Sequence, residues 1–427
     1  MSDFSHAFGP PTLGRPLLIV GASARAAAES ARRAGFRPYA IDLFADADLA
    51  ELAEVRVSRD YPYDIPTLAR AMPAADWIYV GGLENYPEVV DELAAERRLL
   101  GCSGDLLRRV RDPRLLSDEL CRHGVNTPDS IFDSVEFRRQ IAGDTTAASE
   151  LAGPIGLAGE WLVKRRRSSG GLGVAHWQSE RIGHTLEDVF DRDCYLQRRV
   201  VGASLGAVYL ASRSRTDFLG ASYQLTYPSH DGKQPFRYAG SIGPIPFEGS
   251  AATELRDKLN SLGSLATSGF PVSGIFSLDF ILGAGTQLKL LEINPRYTAS
   301  CELIERSLGR SLVGLHAAVC EGEIDVESVF VPPADSPQPH KWHGKKVVYA
   351  TADLAQVPEH VTADLMARRA VEQERLGEST IADIPQAGAM IRRDDPIATV
   401  FAAGDDEQAV RDELDERERE LIALFVG

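Results

Sequence analysis

The sequence predicts a protein of mixed α/β and α+β class that is divided into several domains. Its 427 residues exceed what one hydrophobic core usually fills, which favours about two to four domains. An early strand–helix–strand pattern is typical of a parallel sheet. Later apolar runs alternate with polar residues and Gly-rich turns, as in antiparallel sheets. A Rossmann-like domain followed by α+β domains is therefore the expected architecture.

The composition is that of a soluble globular protein. Hydrophobic residues make up 44% of the chain, charged residues make up 25%, and the formal net charge is −16. This charge argues against nucleic acid or an anionic membrane as the main partner. The five cysteines lack metal-type spacing, no apolar run approaches the length of a membrane span, and no signal-peptide pattern is present. We therefore expect a cytoplasmic protein with reduced thiols.

The first domain begins with the apolar run LLIVG at 17–21, which an Ala-rich helical stretch at 22–36 and a second strand follow. The pattern recurs at 76–101. Ligands of parallel sheets bind beyond the carboxyl ends of the strands. The residues expected at this edge are Gly21, Ser23, Gly81, Gly82, Glu84 and Asn85.

A dinucleotide site is the alternative interpretation of this first domain. Gly21 and Asp42, about twenty residues later, would fit an NAD-binding fold. However, GASARA at 21–26 lacks the second and third glycines of the GxGxxG fingerprint. NAD binding is therefore disfavoured.

The strongest chemical signal is the segment IFSLDFILGAGTQLKLLEINPR at 275–296, which predicts a β-hairpin. A turn centred on Ala284-Gly285 would pair Asp279 with Leu290. Asp279 and Glu292 would then lie diagonally on one face of the hairpin, because side chains alternate along a strand.

Two carboxylates on one face of an apolar hairpin repel each other and are costly to bury. A hard divalent cation offsets both costs, and Asn294 on the same face adds a third oxygen. Mg²⁺ takes one or two protein carboxylates and completes its shell with waters and substrate phosphates. The pattern therefore predicts a Mg²⁺ site at Asp279, Glu292 and Asn294. The alternative is that both carboxylates are solvated on an exposed sheet face.

Two further segments carry weaker signals. In LVKRRRSSGGLGV (162–174), a strand ends in Lys164 and a Gly-rich turn follows, whose backbone N–H groups could surround a phosphate. It is not a P-loop, because no Gly-Lys-Ser/Thr follows, and a mobile basic turn is the alternative. In YLQRRVVGASLG (195–206), a strand that ends near Gln197 could pass beside a base.

In their order and spacing, these segments together resemble the ATP-grasp superfamily. The resemblance covers about residues 15–320 and rests on the Lys, the Gly-rich loop, the Gln-containing strand, Asp-x-Phe and Glu-x-Asn-Pro-Arg. It implies a Rossmann-like pre-ATP-grasp domain at 17–104, an ATP-grasp domain of two subdomains at 105–328, and a linker with a small C-terminal domain at 329–427. The Pro-, Gly- and Ser-rich composition of residues 1–16 predicts a disordered N-terminus, and four prolines at 329–340 favour a linker there. The C-terminal part resembles the barrel-like domain of biotin carboxylase-like members.

The resemblance also implies roles for individual residues. Lys164 would contact the ATP phosphates, and the loop of Ser168, Ser169, Gly170, Gly171 and Gly173 would close over them. Gln197, Arg198, Arg199 and Val200 would line the adenine site. Asp279, Glu292 and Asn294 would hold one or two Mg²⁺ ions, with Mn²⁺ as a substitute. Arg296, with Lys164, would stabilise the transferring phosphoryl group or an acyl phosphate.

One position departs from the family pattern. Family members often carry a further nucleotide-binding Lys after an Asp near the start of a helix, and here that position is Pro113. Arg114 or Arg109 would be the substitute, with different geometry.

The resemblance implies an ATP-dependent carboxylate–amine ligase that forms an amide through an acyl phosphate, from a small-molecule acid and amine. A fainter similarity points to one-carbon cofactor biosynthesis of the pterin or furan type. A bicarbonate-activating carboxylase of the biotin or purine type is the first alternative. A non-catalytic nucleotide-binding regulatory protein is the second. A homodimer is expected, since ATP-grasp enzymes are often dimers.

Overall fold

Three β-sheets organise the chain in the computed structural model, which describes residues 14–137, 161–177, 186–212, 214–323 and 341–426. Two sheets have four strands each and the third has eight. Within the described residues, none of the helices combines the length and apolar character that a membrane crossing requires. The predicted linker at 329–340 lies outside the described residues.

The first domain is the predicted parallel, Rossmann-like unit. Its elements are β1 (Arg15–Val20), α1 (Arg25–Arg33), β2 (Phe36–Asp42), α2 (Ala47–Leu52), β3 (Glu54–Val57), α3 (Ile65–Arg70), β4 (Asp76–Tyr79) and α4 (Pro87–Glu96). The strand order is β3-β2-β1-β4, with all pairs parallel. Strand β1 begins at Arg15, two residues before the expected start of this domain at residue 17.

The Asp42 carboxylate is fully engaged within the first domain. It is 1% exposed and accepts hydrogen bonds from the backbone N–H groups of Ala24 (2.6 Å), Phe44 (2.6 Å) and Ala45 (2.8 Å). Burial raises the pKa of Asp42, while these hydrogen bonds oppose that rise. Its oxygens therefore hold the turns after β1 and β2, which agrees with the expectation that NAD binding is disfavoured.

Two helices follow the first domain, α5 (Gly104–Val110) and α6 (Pro113–Arg122). The break between them lies at Asp112-Pro113. Asp112 caps α6 by accepting hydrogen bonds from the backbone N–H groups of Arg114 (2.9 Å) and Leu115 (3.1 Å). Proline suits the first position of a helix because that position needs no N–H donor.

The second sheet is small and antiparallel. Its strands are β5 (Ser130–Ile131), β6 (Trp161–Arg165), β7 (Val174–His176) and β8 (Cys194–Arg198), in the order β5-β8-β6-β7, and α7 (Leu186–Asp191) precedes β8. Strands β6 and β7 flank the Gly-rich loop, as predicted.

The eight-stranded sheet forms the centre of the protein. Its strands are β9 (Ala203–Ala211), β10 (Thr216–Thr226), β11 (Tyr238–Gly243), β12 (Gly274–Leu282), β13 (Leu288–Asn294), β14 (Trp342–Tyr349), β15 (Ile381–Ala382) and β16 (Pro396–Gly404), in the order β13-β12-β9-β10-β11-β14-β16-β15. The remaining helices are α8 (Ser250–Gly269), α9 (Ala299–Leu308), α10 (Leu312–Glu321), α11 (Glu359–Leu376) and α12 (Glu407–Val426). The C-terminal strands β14–β16 thus extend the central sheet, and the expected separate barrel is not confirmed.

The β12–β13 hairpin has a longer turn than predicted. Gly283 donates its N–H to the carbonyl of Gln287 (2.9 Å), so residues 283–287 connect the strands. This turn alone would place Asp279 opposite Leu291. A ladder shift just after Asp279 instead pairs it directly with Glu292, and the predicted pairing with Leu290 was wrong. The two carboxylates therefore lie side by side, on the shared face that alternation predicted.

A buried ion network joins the first domain to the rest of the chain. The Arg25 side chain, on α1, is 1% exposed and donates to Glu302 on α9 (2.5 Å), to Asp383 (2.8 Å) and to Glu29 (2.8 Å). Lys345 on β14 donates to the second oxygen of Glu302 (2.6 Å). Burial opposes ionisation of Glu302, but Arg25 and Lys345 hold its pKa well below the usual range.

We predict that Arg25→Ala destabilises the protein by about 3–5 kcal/mol, because it leaves buried carboxylates without their cation. Arg56→Ala is the control. Arg56 pairs with the half-exposed Glu54, so its loss should change stability by less than about 0.5 kcal/mol. Chemical denaturation of both variants provides the comparison. Equal small effects would show that the network does not contribute to stability.

Candidate functional site

A cavity of about 730 Å³ lies between the small antiparallel sheet and the central sheet. Among its lining residues are Lys164, Ser168, Ser169, Gly170, Gly171, Gln197, Arg198, Arg199, Val200, Asp279, Glu292, Asn294 and Arg296. These are the predicted site residues except Gly173, which lines a different cavity beside Arg165 and Leu172. Segments more than 120 residues apart in sequence therefore converge on one site.

The carboxylate pair forms one wall of this cavity. The Asn294 side-chain amide donates to Asp279 Oδ2 (2.9 Å) and to Glu292 Oε1 (3.2 Å), so one amide group bridges both carboxylates. Gln224 on β10 donates to Asp279 Oδ1 (2.8 Å). Sequence reasoning missed Gln224, because it lies in an ordinary strand pattern. Its role depends on the pairing of β10 with β9, which in turn pairs with β12.

The two carboxylates have opposite electrostatic environments. Burial and the charge of Glu292 raise the pKa of Asp279 well above its ordinary value. Burial also opposes ionisation of Glu292, but the nearby Arg111 guanidinium lowers the pKa of Glu292 to about 2. A cation between the two groups would relieve the repulsion that raises the Asp279 pKa.

A divalent cation fits this set of side chains after one rearrangement. Asn294 presents its NH₂ group to the carboxylates, while its Oδ1 accepts from Arg296 (3.3 Å). Coordination through the Asn294 oxygen would require the amide to turn. Among the described residues, no group of three or more His, Cys, Asp or Glu side chains has metal-binding geometry. This site therefore has two carboxylates and room for other oxygen ligands, which suits Mg²⁺.

Lys164 and Gln197 form the opposite wall. They lie on the neighbouring strands β6 and β8, and Lys164 Nζ donates to Gln197 Oε1 (3.1 Å). Gln197 Nε2 donates to Ser130 Oγ (3.3 Å). The Gln197 amide is thus engaged within the protein. Residues 198–200, which follow Gln197, line the cavity and are exposed or half-buried.

The Gly-rich loop is folded down onto the central sheet. Gly170 and Gly171 have φ values of 61° and 75°, in the left-handed region. The carbonyl of Gly170 accepts from the backbone N–H of Tyr238 on β11 (2.9 Å). A Cβ at Gly171 would collide with the carbonyl oxygen of Phe236, whereas one at Gly170 would meet no atom within 4 Å. Close backbone approach therefore requires glycine at 171.

Arg296 connects the site with the first domain. Its guanidinium donates to Glu84 Oε1 at 2.6 Å, and the Glu84 side chain is fully buried. Glu84 belongs to a 3₁₀ turn, Leu83–Asn85, that follows β4 at the carboxyl edge of the parallel sheet. This edge is where the sequence predicted ligand contacts. Ser23, which was predicted there too, is exposed to solvent.

Arg111 is the site residue that the sequence did not indicate. It donates to Glu292 Oε2 (3.2 Å) and shares a second, smaller cavity lining with Lys164 and Gln197. The two arginines considered near Pro113 are used elsewhere. Arg109 donates to the carbonyl of Gly269 (2.9 Å), and Arg114 pairs with Asp133 (2.7 Å) and Glu136. Arginines also stand at 108, 109 and 114, and it is Arg111, at the C-terminal end of α5, that contacts the carboxylate pair.

Comparison with known proteins agrees with this architecture. Residues 110–300 match the ATP-grasp domain family. A search of curated proteins finds no significant sequence match.

Solved structures that are similar to the chain cover nearly its whole length. Carboxyaminoimidazole ribonucleotide synthase from Aspergillus clavatus, complexed with ATP, is 13% identical over 96% of this chain and 99% of that chain, with a TM-score of 0.66. N5-carboxyaminoimidazole ribonucleotide synthetase from Thermus thermophilus is 16% identical, with coverages of 94% and 98% and a TM-score of 0.64.

A third similar structure is the biotin carboxylase domain of the Hydrogenobacter thermophilus 2-oxoglutarate carboxylase, in complex with MgADP, ADP and bicarbonate. It is 15% identical, with coverages of 97% and 94% and a TM-score of 0.66. At such identities the likeness shows a shared fold. The domain match shows that residues 110–300 are an ATP-grasp domain, within a chain that shares the fold of these solved structures over nearly its whole length.

Proposed function

We propose that this protein is an ATP-dependent ligase that activates a carboxylate as an acyl phosphate for attack by an amine. The observation that carries the proposal is the direct pairing of Asp279 with Glu292 on the wall of a large cavity, across from a Gly-rich loop and Lys164. Paired carboxylates facing phosphate-binding groups are the arrangement that phosphoryl transfer needs, since its catalysis consists of positioning and charge neutralisation.

The cavity divides into regions that suit the parts of a nucleotide. The backbone at 198–200 borders the proposed adenine region, next to the apolar side chains of Ile281 and Leu291. The Gly-rich loop and Lys164 border the proposed phosphate region, which Arg111 also faces. Asp279, Glu292 and Asn294 would hold Mg²⁺, or Mn²⁺ in its place, which neutralises phosphate charge when bound.

The proposed chemistry has two steps. An oxygen of the substrate carboxylate attacks the γ-phosphorus, the bond from that phosphorus to the β-phosphate oxygen breaks, and ADP leaves. The amine nitrogen then attacks the acyl carbon, the carbon–oxygen bond to phosphate breaks, and inorganic phosphate leaves as the nitrogen loses a proton. Arg296 lies beside Asn294 and would stabilise the negative charge of the acyl phosphate.

The junction with the first domain is the proposed acceptor site. Three buried polar groups there, Glu84 Oε2, Arg296 Nε and the Tyr61 hydroxyl, have no hydrogen-bond partner within the described part of the chain. Unpaired buried polar groups are costly, and each would be satisfied by a bound ligand or water. Glu84 Oε2 can accept a hydrogen bond and Arg296 Nε can donate one. This pair suits an amine substrate that carries both a donor and an acceptor.

Bicarbonate is the second candidate for the activated acid. A structure similar to this chain over almost its full length is that of a biotin carboxylase domain bound to bicarbonate. The same cavity would serve both reactions, because bicarbonate is itself a small carboxylate-like anion. The role in one-carbon cofactor synthesis and the homodimer both stay predictions. The complete set of Asp279, Glu292, Asn294 and Arg296 argues against a non-catalytic regulatory protein.

The proposed reaction is tested by measuring ADP release across a panel of acids and amines, with bicarbonate as a separate arm. We expect turnover to require one acid and one amine together. ADP release that depends on bicarbonate would instead favour the carboxylase. Tight ATP binding without turnover in any mixture would contradict both enzymes.

We predict that Asp279→Asn and Glu292→Gln each lower kcat for ADP release by about 10²-fold or more, because each removes a negative charge that would hold the cation that neutralises the phosphates. Glu254→Gln is the matched control, since Glu254 is exposed on α8 and pairs with Lys258. Its kcat should equal that of the wild-type protein. Wild-type rates in both site variants would exclude the carboxylate pair from the reaction.

We predict that Gly171→Ala weakens binding of a non-hydrolysable Mg-ATP analogue at least tenfold, because the new methyl group displaces the loop from Phe236. Gly170→Ala controls for the positive φ shared by both glycines, since its methyl group meets open space. Calorimetric titration gives the two dissociation constants. Equal effects would show that backbone strain alone, and not close approach, explains the loss.

A further inference from the structure

Asn85 connects three parts of the protein through one side-chain amide. It is 6% exposed and ends the 3₁₀ turn after β4. Its Nδ2 donates to the carbonyl of Ser168 in the Gly-rich loop (3.3 Å) and to the carbonyl of Gly82 (3.4 Å). Its Oδ1 accepts from Arg111 Nε (3.1 Å) and Nη2 (2.9 Å). The amide therefore spans the first domain, the loop and the cavity arginine.

Arg111 is held on three sides by these contacts. Besides Asn85, its guanidinium donates to the Ser168 carbonyl (2.5 Å) and to Glu292 Oε2 (3.2 Å). Its side chain is only 11% exposed. Two of its N–H groups converge on Asn85 Oδ1, which fixes the plane of the guanidinium. Of these partners, Glu292 is the one that a metal ion would also bind.

We propose that Asn85 is a positioning residue that aims Arg111 at the nucleotide phosphates and latches the Gly-rich loop through the Ser168 carbonyl. This inference rests on the proposed function, because Arg111 acts on phosphate. When the nucleotide binds, Arg111 exchanges Glu292 for phosphate oxygens and leaves that carboxylate to the cation. Asn85 keeps the guanidinium in place during the exchange.

The same turn also holds the second arginine of the site. Glu84, which precedes Asn85, is the partner of Arg296 at 2.6 Å. A shift of the turn would therefore move both Arg111 and Arg296. An acceptor bound at the carboxyl edge of the parallel sheet would stabilise the turn, and with it the closed loop. The proposed acceptor site and the proposed phosphate region are thus linked through the adjacent residues Glu84 and Asn85 of the first domain.

The hold of Asn85 on the Ser168 carbonyl is tested through the peptide bond between Arg167 and Ser168, which trypsin should cleave faster when the loop opens locally. Its cleavage rate is followed by mass spectrometry with and without a non-hydrolysable Mg-ATP analogue, and the dissociation constant of the analogue is measured by calorimetry. The variants are Asn85→Ala, Asn85→Asp and Arg111→Ala. Glu92→Ala is the control, because Glu92 is exposed on α4, the helix that follows the 3₁₀ turn.

We expect Asn85→Ala to weaken analogue binding about tenfold and to remove the protection of the Arg167–Ser168 bond, since hydrogen bonds to a charged group are lost. Asn85→Asp keeps the acceptor for Arg111 but loses the donor to the Ser168 carbonyl. In this variant the Arg167–Ser168 bond should therefore be cleaved as fast as in Asn85→Ala. Glu92→Ala should behave like the wild-type protein. The melting temperature of every variant should lie within a few degrees of the wild-type value.

Two results would overturn the inference in different ways. If Arg111→Ala loses affinity while both Asn85 variants retain wild-type affinity and protection, Asn85 has no positioning role and the proposed function stands. If the wild-type protein binds no Mg-ATP analogue, the proposed function fails and the latch fails with it.

Discussion

The site depends on the forced proximity of two carboxylates on adjacent strands. Backbone pairing of β12 with β13 places Asp279 directly opposite Glu292, and neither can move away without breaking the ladder. Asn294, Gln224 and Arg111 surround the pair with N–H donors, and Arg111 lowers the pKa of Glu292. Burial and the charge of Glu292 nevertheless raise the Asp279 pKa, and a cation bound between the two carboxylates would offset that repulsion.

The first domain helps to position the residues of the site, in addition to forming a sheet of its own. Its turn at Leu83–Asn85 contacts both arginines of the site, and its Arg25 is buried in an ion network with α9 and the segment around Asp383. Helix α9 begins beside the cavity at Ala299. The positions of Arg111, Arg296 and α9 therefore depend on how the first domain packs against the rest of the chain. The Arg25 ion network lies away from the cavity and contributes to this packing.

Much of the fold and the site was predictable because it follows from local periodicity. Alternation along β13 places Glu292 and Asn294 on one face of that strand, and the ladder shift beside Asp279 brings Asp279 to the same face. The register was not predictable, since it depends on a five-residue connection at 283–287 and on a ladder shift beside Asp279. Arg111 was missed because arginines stand at 108, 109, 111 and 114, and only the packing of α5 and α6 determines which of them contacts Glu292. The C-terminal strands joined the central sheet through β11 and β14, a long-range pairing that no local pattern reveals.

The most direct test of the central claim is a crystal structure with Mn²⁺ and a non-hydrolysable ATP analogue, in which anomalous scattering locates the ion. The account predicts an anomalous peak between Asp279 and Glu292, bound to both carboxylates at about 2.0–2.3 Å. It also predicts the analogue's phosphates beneath the Gly-rich loop and Arg111 released from Glu292. A bound analogue with its ion elsewhere, and with Arg111 still paired with Glu292, would contradict the account.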